Sequence, residues 1–427
     1  MRKMKESGVE WLGEVPNGWD LVQLGSLFTE HKNKNLGLQS DNLLSLSYGN
    51  IVRKNIATTD GLLPESFEGY NVIDDGDIVL RLTDLQNDQR SLRVGLSHEK
   101  GIVTSAYVTL RKRDPSLNSQ FFYYLIHSYD VRKGFYGMGA GVRQGLNFTG
   151  IRKIMLVLPS ADEQNAISIF LGEKISKVEK LITNIKSQIN KLKAYKQSLI
   201  TEVVTKGLDS SVTMRESGVE WVSQIPATWK MSRVGLHYTI ILGKMLCPNQ
   251  LEDNYTLEKY YCAANVHFGE IISDELKEMW FSPVEKEQYR LTVGDMLIVE
   301  GGAGAGGCAI VKQPTDALVQ NSVMIVRNRC GNDNRYLRYW IESMVKRGYL
   351  DVVCNKATIP HYTKDKLANT IIPIVPFAEQ IKIADYLDTR CEQVNRLVAT
   401  KQAKIEKLEE YKKSMIYEYV TGKKEVQ

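Results

Sequence analysis

The 427-residue sequence holds the side chain types that catalysis uses, but not in the spacings that reactions require. Gly301-Gly302-Ala303-Gly304-Ala305-Gly306-Gly307 could in principle cradle a phosphate. It lacks the Gly-Lys-Ser/Thr that completes such a loop, and it follows a strand-like run where a hairpin turn is expected. His31, His98, His127, His237, His267 and His361 are scattered. None falls in an H-x-x-x-H or Cys/His ligand spacing, so no metal site is expected. Neither Asn-Pro-Pro-Tyr nor Asp-Pro-Pro-Tyr occurs, which disfavours a self-contained adenine methyltransferase. No Pro-Asp…Asp/Glu-x-Lys cluster marks a nuclease. The expectation is a chain with no catalytic residues.

The elements that would carry any function come from length and composition. The length suggests two or three domains. With 43% hydrophobic and 25% charged residues the composition is that of a globular chain, not a disordered or collagen-like one. No run approaches the roughly 20 apolar residues that cross a bilayer, and Met1-Arg2-Lys3-Met4-Lys5-Glu6-Ser7 leads into no apolar segment, so a cytoplasmic chain is expected. The six cysteines all lie in the second half without a C-x-x-C pair, which favours reduced, buried thiols. Residues 163–206 carry 8 Lys+Arg against 4 Asp+Glu, so +4 of the net +5 sits on that segment. Charge alone does not mark a nucleic-acid binder.

The chain is written twice. Met4-Lys5-Glu6-Ser7-Gly8-Val9-Glu10-Trp11 returns as Met214-Arg215-Glu216-Ser217-Gly218-Val219-Glu220-Trp221, and Pro16, Trp19 and Gly25 return as Pro226, Trp229 and Gly235. The offset then drifts, Gly76-Asp77 matching Gly294-Asp295, before locking at Glu163-Gln164 and Glu379-Gln380. A drifting offset means loop insertions in a shared fold; a locked one means a helix that tolerates none. Trp11, Pro16, Trp19 and their counterparts read as anchors where a helix end meets a domain start, and Tyr195 and Tyr411 as packing at a helix seam.

Each copy has two parts. Residues 1–159 and 207–375 are β-rich, with strands expected at 77–81, 106–110 and 154–158 and again at 296–299, 322–326 and 371–375. A helix is expected over 120–131, and over 336–345 in the second copy. Residues 160–206 and 376–427 are long helices, the first opened by the capping box Ser160-Ala161-Asp162-Glu163. Leu171, Ile175, Val178, Ile182, Ile185, Ile189 and Leu192 form a heptad seam, repeated at Leu387, Cys391, Val394, Val398, Ile405, Leu408 and Met415 with Lys401 interrupting. Such a narrow stripe needs a partner. The other helix of the same chain, running antiparallel, is the preferred one, and a second chain is the alternative. The fold class is therefore α+β: two tandem β-rich α/β domains separated by two long antiparallel helices in an intramolecular coiled coil, pseudo-two-fold and circular, with the termini close together.

The duplicated Glu-Ser-Gly-Val-Glu-Trp…Pro…Trp openings, the Gly-Asp-Ile/Met strands, the Pro…Glu-Gln helix starts and the two long helices resemble the specificity subunit of type I restriction-modification enzymes. The likeness spans essentially the whole chain and keeps that family's order of target-recognition domain, helix, target-recognition domain, helix. It implies a non-catalytic reader of double-stranded DNA, each domain reading one half of a bipartite gapped site. It implies as partners two methyltransferase subunits that methylate adenine N6, and through them ATP-dependent restriction subunits. No cofactor is expected on this chain; S-adenosylmethionine belongs to the methyltransferase, ATP and Mg to the restriction subunit. A fused methyltransferase or nuclease, and a DNA-binding scaffold or repressor without modification partners, are the competing readings.

Reading base edges needs Arg for guanine and Asn or Gln for adenine, with Lys, Ser, Thr and backbone amides on phosphates setting register. In the first domain such residues cluster at Lys32, Asn33 and Lys34; at Tyr48 and Asn50; at Arg81, Thr83, Gln86, Asn87 and Arg90; and at Arg143 and Gln144 between glycines. In the second they are Asn265 and His267, Glu300 with the glycine run, and Asn355, Lys356, Thr358, His361 and Tyr362. The plainer reading of any one of these is a polar turn. Lysines 174, 177, 180, 186, 191, 193 and 196 give the first long helix a basic face for the DNA backbone, an acidic partner or solvent.

Overall fold

The structure, a computed structural model, describes residues 2–56, 66–85, 92–138, 145–329, 331–354 and 360–426. The chain forms two compact units, one of Met1–Lys186 with Ala403–Gln427, the other Ser187–Gln402. Each unit therefore holds one β-rich domain and a portion of both long helices.

The first unit is built on a four-stranded antiparallel sheet in the order Phe28–Glu30, Val108–Lys112, Ile78–Leu80, Val94–Leu96. The second repeats that order with Tyr238–Leu242, Val323–Asn328, Met296–Val299 and Cys308–Ile310. The two inner strands of each sheet lie within two residues of the bounds expected for them (77–81, 106–110, 296–299 and 322–326), and no bounds were expected for the outer strands. The Ile78–Leu80 strand is apolar without alternation because both its faces are covered. Ile78 and Leu80 pack with Phe121, Phe122 and Leu125 of helix α1 (Ser119–Val131), whereas Val79 packs with Leu44, Ile73 and Val103 on the other face. In the second unit Met296 and Ile298 face Tyr336, Leu337 and Trp340, and Leu297 and Val299 face Tyr261 and Val319.

The first long helix, α2, spans Ala161–Lys206. Its capping box is formed: Glu163 N donates to Ser160 Oγ at 3.3 Å, and Ser160 N to Glu163 Oε2 at 3.3 Å. Helix α3 is Asn334–Lys346 and the second long helix, α4, is Phe377–Val420. The heptad seams lie on the covered faces. Leu171, Val178, Ile182, Ile185, Ile189, Leu387, Cys391, Val394, Ile405 and Met415 are buried, and Ile175, Leu192, Val398 and Leu408 half-buried. Within the first unit Phe170 stacks on Tyr419 (centroids 4.6 Å apart) and Glu179 pairs with Lys412 at 3.2 Å. Within the second, Gln188 accepts from Lys401 at 2.6 Å and Asn395 from Lys196 at 3.0 Å. In each unit the partner number falls as the other rises, so the segments run antiparallel. Lys401, which breaks the apolar spacing, is half-buried and finds an amide partner there.

The Trp anchors sit where expected. Trp19 Nε1 donates to Glu163 at 3.1 and 3.2 Å, and Trp229 Nε1 to Glu379 at 3.2 Å. Both indoles are buried, and each closes against the glycine that ends the other long helix. Gly422 has φ +73°, and a Cβ there would lie 2.3 Å from Pro16 Cγ and 3.0 Å from Trp19; Gly207 has φ +77° beside Trp229. In the first unit both chain ends meet: Tyr417 OH donates to Trp11 O at 3.1 Å, Lys423 Nζ to Leu12 O at 2.8 Å, and Arg2 Nε lies 3.0 Å from Glu425. One expectation fails. Tyr195 and Tyr411 are 53% and 55% exposed and do not pack the seam, because both occupy the position that flanks it.

Helix α1 buries His127 with its Nδ1 unpartnered. Burial, with Lys412 and Lys413 adding repulsion, pushes its pKa down to about 4. The folded state therefore resists a proton that the unfolded chain takes up near 6.5. His127 withdraws stability as pH falls from 6.5 towards 4, on the order of 3 kcal/mol in total. Asp130, raised to about 6 by burial, acts oppositely: its penalty is relieved as pH falls from 6 towards 3.8. His127→Phe should thus be more stable relative to wild type at pH 4.5 than at pH 7.5 in urea melts. A pH-independent difference would reject this assignment.

Candidate nucleic-acid interface

Next to the central sheet the first unit gathers two of the polar segments singled out in the sequence. The hairpin of Leu44–Ser47 and Asn50–Arg53 turns through Tyr48 and Gly49, at φ +46° and +82°. Positive φ at both turn residues is the primed geometry that suits a two-residue hairpin. Gly49 O accepts from Tyr123 OH at 3.3 Å, and a Cβ on Gly49 would lie 3.2 Å from Leu92. Beside Leu92, Arg81 N donates to Arg93 O at 2.9 Å, and Leu146 N to Leu82 O at 2.8 Å. Tyr48, Asn50, Arg81 and Thr83 thus come onto one patch. Tyr48 is 72% exposed there, and Asn50 donates to Tyr48 O at 3.4 Å. Gln86, Asn87, Arg90, Arg143 and Gln144 lie outside the described residues.

Lys32, Asn33 and Lys34 belong to a different neighbourhood. Lys32 pairs with Glu30 at 3.0 Å, Asn33 O accepts from Val72 N at 2.7 Å, and Lys34 Nζ donates to Gly69 O at 2.7 Å. All three side chains are exposed, but the structure does not join them to the Tyr48 patch.

The second unit builds the same junction. Glu300 O accepts from Tyr362 N at 2.6 Å, in the place of the Leu82–Leu146 bond, and Gly302 N donates to Pro360 O at 3.2 Å. The glycine run is the expected hairpin connection, with Gly302 and Gly306 at φ +86° and +78°. Gly301 approaches the exposed His361, whose Nδ1 would lie 2.9 Å from a Cβ. Gly269 N donates to Cys308 O at 2.8 Å, which brings the Asn265–His267 turn to the same edge. His267 is exposed, whereas Asn265 is spent on its turn, accepting from Cys262 N at 3.0 Å and donating to Ile272 O at 3.2 Å. Tyr362 is a correction. It is 0% exposed, its hydroxyl is 2.6 Å from Thr370 Oγ1, and it belongs to the core. Asn355, Lys356 and Thr358 lie outside the described residues.

Sequence reasoning passed over Arg93, whose side chain is fully buried beneath the Arg81–Leu85 segment. It also gave no hint of one acidic corner. His31, Asp74 and Asp77 bring one ligand atom each within 4.8 Å of one another. Arg111 already neutralises the two carboxylates, at 2.6 Å from Asp74 and 2.5 Å from Asp77. Arg327 and Asp295 form the matching pair in the second unit at 3.1 Å. Its recurrence there, without the histidine, makes this corner a structural brace for the strand that follows each Gly-Asp.

Residues 239–407 match the family model described as Type I restriction modification DNA specificity domain. Two Methanocaldococcus jannaschii proteins are similar along the chain, each 22% identical over 96% of it. They are the type I restriction enzyme MjaVIII specificity subunit, of which 93% is covered, and the putative type I restriction enzyme MjaX specificity subunit, of which 95% is covered. Among solved structures, a chain from work on complex assembly and conformational transition of the type I R-M system superposes with a TM-score of 0.70. It is 16% identical, over 95% of this chain and 98% of that one. The HsdS subunit from Thermoanaerobacter tengcongensis gives 0.50 at 16% identity, over 96% and 98%. These structures share the fold. Among the described residues no helix is long and apolar enough to cross a membrane.

A tyrosine held at positive φ at an exposed tip is strained by about 1 kcal/mol without burying its ring in return. Tyr48→Gly should therefore melt no lower than wild type, while retention of the chain on duplex DNA weakens. A lower melting temperature with DNA retention unchanged would make Tyr48 a packing residue instead.

Proposed function

We propose, for a chain that belongs with the specificity subunits of type I restriction-modification enzymes, that it is the non-catalytic DNA reader of such a complex. Each β-rich domain reads one half of a bipartite gapped site, and adenine methylation is done by partner subunits. The observation that carries this is the duplicated junction: Leu82–Leu146 in one unit and Glu300–Tyr362 in the other frame loops of different sequence in the same way. One frame with two sets of side chains suits a site whose halves differ. Arg81, Thr83, Tyr48, Asn50, Arg143 and Gln144, with Gln86, Asn87 and Arg90, would meet one half; His267 and His361, with Asn355, Lys356 and Thr358, the other. Lys32, Asn33 and Lys34 suit phosphate contacts that set register.

The long helices would form an intramolecular antiparallel coiled coil, giving the chain a pseudo-two-fold and circular plan. Support comes from the buried seams, from the antiparallel pairs within each unit, and from the meeting of the two chain ends. The coil would fix the gap between half-sites and hold the methyltransferase subunits. Leu181 and Tyr195 of α2 recur as Leu397 and Tyr411 of α4, at the same position flanking the seam, and all four are at least half exposed. Two equal apolar spots suit two copies of one partner. S-adenosylmethionine would sit on that partner, and ATP with Mg on a restriction subunit joined through it.

The reading predicts a gapped two-part N6-methyladenine motif in cells that carry this chain with its neighbouring methyltransferase, and no such motif without the chain. Arg143→Ala with Gln144→Ala should change one half of that motif alone. The same sequence methylated at the same rate would remove those two residues from the interface. Leu181→Glu with Tyr411→Glu should lower the number of methyltransferase copies bound per chain from two to one in native mass spectrometry, with the melting temperature unchanged. Two copies still bound would place docking elsewhere.

A further inference from the structure

A buried arginine is costly unless its donors are used. Arg93 is 0% exposed. Its Nη1 donates to Arg81 O at 3.1 Å and Thr83 O at 2.7 Å, its Nη2 to Asp84 O at 3.2 Å, and its Nε to Tyr136 OH at 3.1 Å. Its own amide is fixed by Asp130 Oδ2 at 2.6 Å, and its guanidinium lies 5.1 Å from the centre of the Tyr136 ring. Three successive-turn carbonyls are thus drawn onto one planar group, which holds Asp84 at φ +57°, outside the region a non-glycine residue adopts readily. Little in this arrangement serves the sheet, whose strand ladder begins at Val94 and closes without the side chain of Arg93.

At the matching position the second unit has no side chain to do this. Strand register pairs Ile78 with Leu96 and Met296 with Ile310, which sets Arg93 level with Gly307. There the segment after the strand is shaped by backbone alone, Val299 N donating to Gly307 O at 2.8 Å and Gly307 N to Gly304 O at 2.9 Å. A guanidinium where the other copy uses glycine is a feature of the first loop, not of the shared fold.

We infer that Arg93 is a positioning residue for the first half-site: it sets the backbone of Arg81, Thr83 and Asp84, and through it the direction in which Arg81 and Thr83 leave the surface. This deepens the reading of the chain as a bipartite DNA reader and rests on it. Arg93 touches no base. A side chain that makes a bidentate contact must be held in place to discriminate, and one such contact is worth about tenfold to a hundredfold between bases. Loss of the clamp lowers that ratio at positions of the first half and leaves the second half untouched.

The test is the methylation motif made by the whole complex with Arg93→Lys, which keeps charge and length but cannot reach three carbonyls, and with Tyr136→Phe, which removes the hydroxyl that accepts from Nε and keeps the ring. Arg93→Lys is expected to relax base choice at one or more first-half positions by about tenfold, with second-half choice and methyltransferase stoichiometry unchanged. Tyr136→Phe should give a smaller shift at the same positions. An unaltered motif with both variants, or relaxation spread equally over both halves, overturns the inference. So does failure of both to fold, which would make Arg93 a structural residue only. Absence of any chain-dependent motif with the wild-type chain would instead strike the underlying reading.

Discussion

The indole of Trp19 on Glu163, and that of Trp229 on Glu379, tie three separate parts of the sequence together in each unit. The tryptophan belongs to the start of a β-rich domain, the glutamate to the first turn of the long helix that follows it. The glycine against the ring closes the other long helix, Gly422 lying far in sequence from both Trp19 and Glu163, and Gly207 far from Glu379 though close to Trp229. A helix N-terminus leaves donors unsatisfied and favours a carboxylate; here that carboxylate also accepts the indole N–H hydrogen bond. The hydrogen bonds to an ionised group contribute roughly 1.5–3 kcal/mol each, but their main effect is geometric. They fix the first turn of each long helix, and the sheets stand in a set relation to the helix ends of their own unit.

Much of this was legible because periodicity reports burial directly. The seam residues Leu171 to Leu192 were read from spacing alone, and the structure covers that face while leaving the lysines between them exposed. The interrupting Lys401 was legible too, though not its amide partner Gln188. Strand cores such as Ile78–Leu80 and Met296–Val299 were found as apolar runs bounded by Gly-Asp. Their two-sided burial follows from the same runs, since a strand with one wet face alternates.

What was hidden depended on contacts distant in sequence. Arg93 looks like one more charge in a polar stretch, and only the folded chain reveals that it points inward under three carbonyls. Tyr362 was misplaced among the readers because its neighbours are polar. The structure pairs it with Leu146, an apolar residue at the same junction, and the offset of the helix starts, carried back that far, gives the same pairing. Tyr195 and Tyr411 erred in the opposite sense: aromatic character suggested packing, whereas one step from the seam is enough to expose a ring.

The two units show how one fold can keep its frame while its loops diverge. The same backbone hydrogen bond, Leu146 to Leu82 or Tyr362 to Glu300, closes the base of each loop pair. It uses no side chain, so substitutions in the loops do not disturb it. Above that base the copies part: an arginine clamp and a strained tyrosine turn on one side, a glycine-rich turn pressed against His361 on the other. The acidic corner is shared only as Asp77–Arg111 and Asp295–Arg327, the histidine and second aspartate being confined to the first unit. Stability thus rests on elements that recur, and side chain identity varies where the backbone is already held. Frame and variable side chains are thus separated in both copies: what recurs is held by backbone and core, and what differs lies above it.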